Sequence, residues 1–283
     1  MRRAAALYRS PAYSPRQHQT NDTAILDATV VELASLGWDI ARATEHDVTA
    51  GRLPTAQLYL NMCQGVEAAN RLRHLLPQAA VSVNRPAAVQ ACHRYHLVPR
   101  LRAARVPFPR TVLVPTEGAT AHRPPIELVN GTGHPIWMKR GDVHAEIADD
   151  VVAVPAAEVP RTLRAFAARG IPIVALQEHL PGPVVKFYGV AGTRFFHWYF
   201  ANESEESTPV DVARLRAMAE QAAAALGLDV YGGDAVIIQP NTPMLIDLND
   251  WPSFAPVRAA AAAAIAHLAH DRAMKDRILC STP

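Results

Sequence analysis

Asp247-Leu248-Asn249 closes an apolar run, Met244-Leu245-Ile246, and Asp234 lies within an earlier one spanning 230–238. Residues two apart on a strand point to the same face, so Asp247 and Asn249 can address one point. A hairpin through 239–243 would bring Asp234 alongside them. Oxygen donors on a rigid strand pair suit Mg²⁺, which is held by one or two carboxylates together with nucleotide phosphates and water. Asp234 alone reads equally well as an ordinary turn acid. The Asp247/Asn249 pair is harder to set aside, because an unpaired carboxylate at the end of a buried strand is costly.

Two lysines at strand positions could meet the anion that such a metal accompanies. Lys139 ends Ile136-Trp137-Met138-Lys139-Arg140-Gly141, where a lysine offers a point charge and a glycine loop lets backbone N–H groups approach. Lys186 lies within Val184-Val185-Lys186-Phe187-Tyr188. Either lysine is also readable as one that snorkels from a sheet. Val174-Ala175-Leu176 runs into Gln177, Glu178, His179 and Leu180, then a sharp Pro181-Gly182 loop. Backbone just past such a strand can pair with a purine edge while apolar side chains cover the ring. His144, Arg194 and Arg258 are candidates for gripping substrate anions, and each is equally a plain surface cation.

These residues need elements to hold them. In the first part of the chain, strands at 4–8, 38–41, 56–62 and 80–83 alternate with helices at 21–36 and 66–76, which predicts a parallel sheet with crossover helices. Pro86 suits the first turn of a helix over 87–95, and a second helix ends near Ala104. Pro107 and Pro109 make 106–111 a rigid extended connector, and 115–133 reads in part as a polar loop. Strands follow at 135–139, 151–154, 171–178, 184–190 and 195–200, with a helix at 160–169 and an acidic loop at 202–207. A helix at 210–226 stopped by Gly227, the hairpin strands 230–238 and 244–248, and a helix at 257–275 complete the chain. The expected division is 1–106, 107–180 and 181–283.

The bulk numbers are compatible with this scheme. The 283 residues are 49% apolar and 19% charged, enough for a packed core and against global disorder. A net charge of +2 argues against nucleic acid as a partner, and no apolar run approaches the roughly 20 residues that span a bilayer. The start of the chain meets Arg9 before any signal-like apolar stretch forms, so it reads as a first strand. Cys63, Cys92 and Cys280 have no disulfide or zinc spacing. The histidines show no metal spacing, and His93 and His96 read as surface residues of a polar helix. The expectation is a cytoplasmic protein with a small-molecule substrate, for which a homodimer is compatible but not required.

In chain order, these motifs resemble the ATP-grasp superfamily over nearly the whole length. Asn84-Arg85-Pro86 with Val106-Pro107-Phe108-Pro109-Arg110-Thr111 resembles its inter-lobe link, Met138-Lys139 its first nucleotide lysine, and Leu176-Gln177-Glu178-His179-Leu180 its adenine hinge. Tyr231-Gly232-Gly233-Asp234 and Ile246-Asp247-Leu248-Asn249 resemble its metal-ligand runs. The resemblance implies an α/β (α+β) fold, an N-terminal parallel-sheet lobe followed by two lobes that clamp ATP and Mg²⁺. It also implies phosphoryl transfer, with Lys139, Lys186, His144 and Arg194 acting on the phosphates or substrate. Within the superfamily, Gln177–Val190 and the run from Ile246 to Phe254 are similar to inositol polyphosphate 5/6-kinases. Carboxylate–amine ligases are the other similar group, although aromatics at 195–200 stand where many of them carry arginines. Three functions follow: a ligase acting through an acyl phosphate, which dominates the superfamily; a kinase for a polyol or inositol phosphate; and a non-catalytic nucleotide-binding module.

Overall fold

A computed structural model of the chain describes residues 2–13, 19–117, 128, 133–238 and 241–280. Side chains at 19–20 and 276–280, Cys280 among them, lie outside that description, as do most of the predicted 115–133 loop and the predicted hairpin tip at 239–240.

Ala4 to Leu7, the centre of β1 (Arg2–Tyr8), form a continuous apolar run buried on both faces, as a central parallel strand requires. β1 pairs in parallel with β2 (Trp38–Thr44) and β3 (Leu58–Asn61), and β3 with β4 (Val81–Val83). The sheet order is β2-β1-β3-β4. One face is covered by α1 (Gln19–Ser35) and by the last helix, α8 (Arg258–Cys280), through Ile25, Leu26 and Leu33 against Ala262, Ile265 and Ala269. The opposite face packs on α2 (Glu45–Thr49) and α3 (Val66–Leu75) through Val48, Ala68 and Leu72. α2 is an unpredicted element. Its start is a capping box, in which Thr44 accepts from the Asp47 N–H and Asp47 from the Thr44 N–H.

The two helices expected over 87–104 are α4 (Pro86–Ala91) and α5 (Arg94–Ala103), and the boundary between them lies at the extended His93 rather than after Tyr95. The Tyr95 N–H, left without a partner in the first turn of α5, donates to the Gly141 carbonyl at 2.9 Å. Two antiparallel sheets follow. β5 (Thr111–Pro115), β6 (Ile136–Arg140), β7 (Val151–Val154) and β8 (Ile173–Glu178) are ordered β5-β8-β6-β7 and covered by α6 (Val159–Ala168). β9 (Val184–Val190), β10 (Phe196–Phe200), β11 (Val230–Ile238) and β12 (Thr242–Asp250) are ordered β10-β9-β11-β12.

α7 (Val212–Leu226) starts on the Asp211 side-chain cap and stops at Gly227, whose φ of 73° is a left-handed conformation. It packs with α4 and α5 on the third sheet, joining Leu97, Leu101, Leu215 and Ala222 to Val185 and Phe187. The third sheet also meets the core of the first, where Tyr188, Val230, Trp251 and Phe254 join the α1–α8 cluster. The helix 258–280 therefore ties the first sheet to the third. Among the described residues, no helix is long and apolar enough to cross a membrane.

Candidate functional site

The β11–β12 ladder sets the centre of the site. Asp234 is directly opposite Asp247, and Gly232 opposite Asn249, with a bulge between Asp234 and Ala235. A bulge re-aims side chains and sharpens the twist. Gly233 permits this close approach, since a methyl group there would strike the Asp247 carbonyl oxygen. On its other side Asp234 is opposite Lys186 of β9, and Lys186 Nζ lies 2.9 Å from Asp234 Oδ1. Burial lowers the Lys186 pKa, but Asp234 outweighs it and holds the value above the ordinary lysine one.

Asp247 is held from farther away. Arg94, on the first turn of α5, places Nη2 2.8 Å from Asp247 Oδ2, and its Nη1 donates to the Arg140 carbonyl at 3.0 Å. Burial raises the Asp247 pKa, yet Arg94, Lys139 and His144 together keep it below the usual carboxylate range. Lys139, only 6% exposed, donates to the Ile246 carbonyl at 3.0 Å. Burial brings its pKa down to about 8, with the Asp247 charge opposing the fall.

His144 arrives on the loop after β6. That loop is pinned by Arg140, which pairs with Asp142 and Glu146 at 2.8 Å, and by Asp150, which accepts from the Glu146 and Ile147 N–H groups. Asp150 in turn pairs with Arg169. His144 Nδ1 lies 3.2 Å from Asn249 Oδ1, and Nε2 3.2 Å from Asp250 Oδ1. His93 stands edge-on to the His144 ring with centroids 5.3 Å apart. It is 3% exposed, which corrects the surface reading, and burial with the neighbouring His144 takes its pKa down to about 3. His93 is the residue at which α5 begins, and it faces inward with Arg94.

A cavity of about 350 Å³ opens beside these groups. Lys186, His144, Asp234, Asp247 and Asn249 line one side of it, and Arg9, Tyr13, Asp22 and Gln64 line the other. The second group escaped the sequence reading. Arg9 follows the C-terminal end of β1, the edge of a parallel sheet where ligands collect, and that position was the available signal. Arg9 pairs with Asp22 at 3.3 Å and donates to the Trp251 carbonyl, while Gln64 donates to Asp250 at 3.2 Å.

The remaining candidates lie outside this cavity. Gln177 is buried and donates to Thr111 Oγ1 at 3.1 Å, and Glu178 pairs with Arg110 at 2.8 Å. His179 accepts from the Trp137 indole at 3.2 Å, and Leu180 is half-buried beyond it. These four residues border β6, with Gln177 opposite Trp137, two residues from Lys139. Arg194 is exposed in the β9–β10 turn, and Arg258 donates to Asn21 at 2.9 Å.

No protein-family model matches the chain, and no curated protein matches it. Solved structures do. A D-alanine–D-alanine ligase from Bacillus anthracis complexed with ATP superposes with a TM-score of 0.67 at 12% identity, over 98% of each chain. A RimK domain ATP-grasp protein from Sphaerobacter thermophilus gives 0.65 at 20% identity, over 94% of this chain and 99% of that one. The D-cycloserine synthetase DcsG gives 0.66 at 15% identity, over 94% and 99%.

Proposed function

We propose that this chain, which has the ATP-grasp fold, is an ATP-dependent enzyme that joins a carboxylate to an amine through an acyl phosphate. The observation carrying the proposal is the meeting of Asp234, Asp247 and Asn249 with Lys186 and Arg94 along one cavity, with Lys139 held behind them on the Ile246 carbonyl. On this reading residues 1–106 form the lobe preceding the nucleotide clamp, and 107–180 and 181–283 are its two halves, in keeping with the three sheets.

The donor set fits Mg²⁺. Asp234, Asp247 and Asn249 offer hard oxygens; the two carboxylates already face the cations Lys186 and Arg94, so positive charge is accommodated at both. When bound, the ion would neutralise phosphate charge. Lys139 and Lys186 would be point charges for the phosphates, and Arg94 would keep Asp247 ionised. The side chains of Gln177 and Glu178 are engaged with Thr111 and Arg110, so adenine recognition would fall to backbone groups near 179–180. The acceptor carboxylate would take the terminal phosphoryl group as ADP leaves. The amine would then attack the activated carbonyl, expelling phosphate and losing a proton. Relatives support the ligase choice: the Bacillus anthracis and DcsG proteins are named as a ligase and a synthetase.

The cavity's charge balance disfavours a kinase for an inositol polyphosphate. Arg9, Arg94 and Lys186 are matched there by Asp22, Asp234, Asp247 and Asp250, whereas a polyphosphate calls for a basic excess. The test is incubation with Mg-ATP, a panel of amino acids and small carboxylates, and hydroxylamine as trap. A hydroxamate formed together with ADP and phosphate supports the ligase. A stable phosphate ester without phosphate release assigns a kinase, and no ADP with any acceptor leaves a binding module.

A further inference from the structure

A groove of about 1210 Å³ shares no lining residue with the cleft. Four arginines border it from four separate places: Arg73 on α3, Arg85 just ahead of α4, Arg100 on α5 and Arg272 on α8. Arg272 pairs with Asp229 at 2.6 Å, and Asp229 is the one acid on the lining. Among the described residues, Arg73, Arg85 and Arg100 have no ion pair or side-chain hydrogen bond. Solvated arginines usually decorate one helix face, whereas these converge from different elements over an apolar floor that includes Leu76, Val81 and Leu226. The floor is braced at its edge, where Asn84 Oδ1 accepts from the Asp229 and Val230 N–H groups at 2.7 and 2.9 Å.

Asp229 fixes one of these arginines at the groove wall. Asp229 is 7% exposed, and its Oδ2 is buried without a hydrogen-bond partner. No ligand in the groove can reach that oxygen, so the part of this acid is to hold Arg272 at the groove wall through Oδ1. Guanidinium forks match phosphate and carboxylate oxygens two at a time, and a groove with one sign of charge concentrates the opposite ion. We propose that this groove is a second ligand site, for a small organic anion carrying at least two phosphate or carboxylate groups. The anionic groups engage Arg73, Arg85 and Arg100. The site is independent of the function proposed for the cleft.

The experiment is calorimetric titration of the full chain, without Mg²⁺ or ATP, using inorganic pyrophosphate in one arm and citrate in the other. Wild type is compared with Arg73→Ser/Arg85→Ser/Arg100→Ser, with Ala87→Glu, which puts an opposing charge on the groove wall, and with the cleft variant Lys186→Met. The expected result is binding that the triple variant and Ala87→Glu weaken by about tenfold or more, as loss of charge-assisted hydrogen bonds implies, and that Lys186→Met retains. A response to one arm alone assigns the phosphate or the carboxylate source. The triple variant removes only exposed groups and should unfold like wild type. Equal binding by wild type and both groove variants, binding lost only in Lys186→Met, or no binding in either arm overturns the proposal.

Discussion

Arg94 spans 153 positions of sequence to meet Asp247 at 2.8 Å, and it is 9% exposed at the side chain. The pair joins the break between α4 and α5 to the end of β12, so one contact both fixes a fold junction and sets the charge of a candidate metal ligand. Removing one partner of such a buried pair strands the other. Arg94→Met should therefore cost about 3 kcal/mol in denaturant unfolding. The double variant Arg94→Met/Asp247→Leu should recover much of that loss while remaining unable to bind Mg-ATP.

Lys139 gives the site a pH signature. Its pKa is about 8 in the folded chain, against roughly 10.4 for an unfolded lysine. Between those values the unfolded chain binds more protons, so this lysine makes stability rise with pH. The penalty for burying its charge is complete below pH 8 and relieved above about pH 10.4, a change on the order of 3 kcal/mol. Unfolding curves across this window should show the rise in wild type relative to Lys139→Met. Parallel pH profiles would remove Lys139 from the buried position described here.

Gly233 is a packing constraint rather than a flexible joint. A methyl group there meets the Asp247 carbonyl oxygen and lies 2.8 Å from Phe187 Cζ. Gly233→Ala should destabilise by about 1–3 kcal/mol and should also weaken Mg-ATP binding, because the Asp234–Asp247 register must shift. Urea midpoints and nucleotide titrations on the same variant check both effects.

Arg9 faces the cavity from the first sheet, away from the two nucleotide-binding sheets of the proposal. Arg9→Met should raise the KM of the acceptor by about tenfold or more, as loss of a charge-assisted hydrogen bond implies, and leave that of ATP within a factor of about two. Equal increases in both would place Arg9 in a structural role through Asp22 and Trp251.

The hairpin that carries the acids was legible because its information is local. Alternating burial along β12 and the two-residue spacing of Asp247 and Asn249 suffice to put them on one face. The parallel first sheet was legible for the same reason, from apolar runs separated by helical periodicity. What escaped depends on distant contacts. Arg94 and His93 lie on what reads as a polar helix, and their partners Asp247 and His144 are far along the chain. Gln64 takes its position from Asp250, a contact that needs the first sheet to meet the third, and Asp22 from Arg9 just past the end of β1. β5 was hidden behind the connector prolines, because its pairing with β8 spans more than 60 residues. The Thr44-x-x-Asp47 capping box was readable and still passed over, since five residues carry too little periodicity to suggest a helix.

The central claim is that Asp234, Asp247 and Asn249 face a Mg-ATP site between the second and third sheets. Thermal unfolding with increasing Mg-ATP, for wild type and for Asp247→Ala/Asn249→Ala, tests it most directly. At a ligand concentration about 100 times the dissociation constant, the wild type should gain roughly 2.7 kcal/mol, a shift of several degrees at most, and the double variant should gain nothing. A wild type that does not respond to Mg-ATP, or a double variant that responds equally, would contradict the assignment.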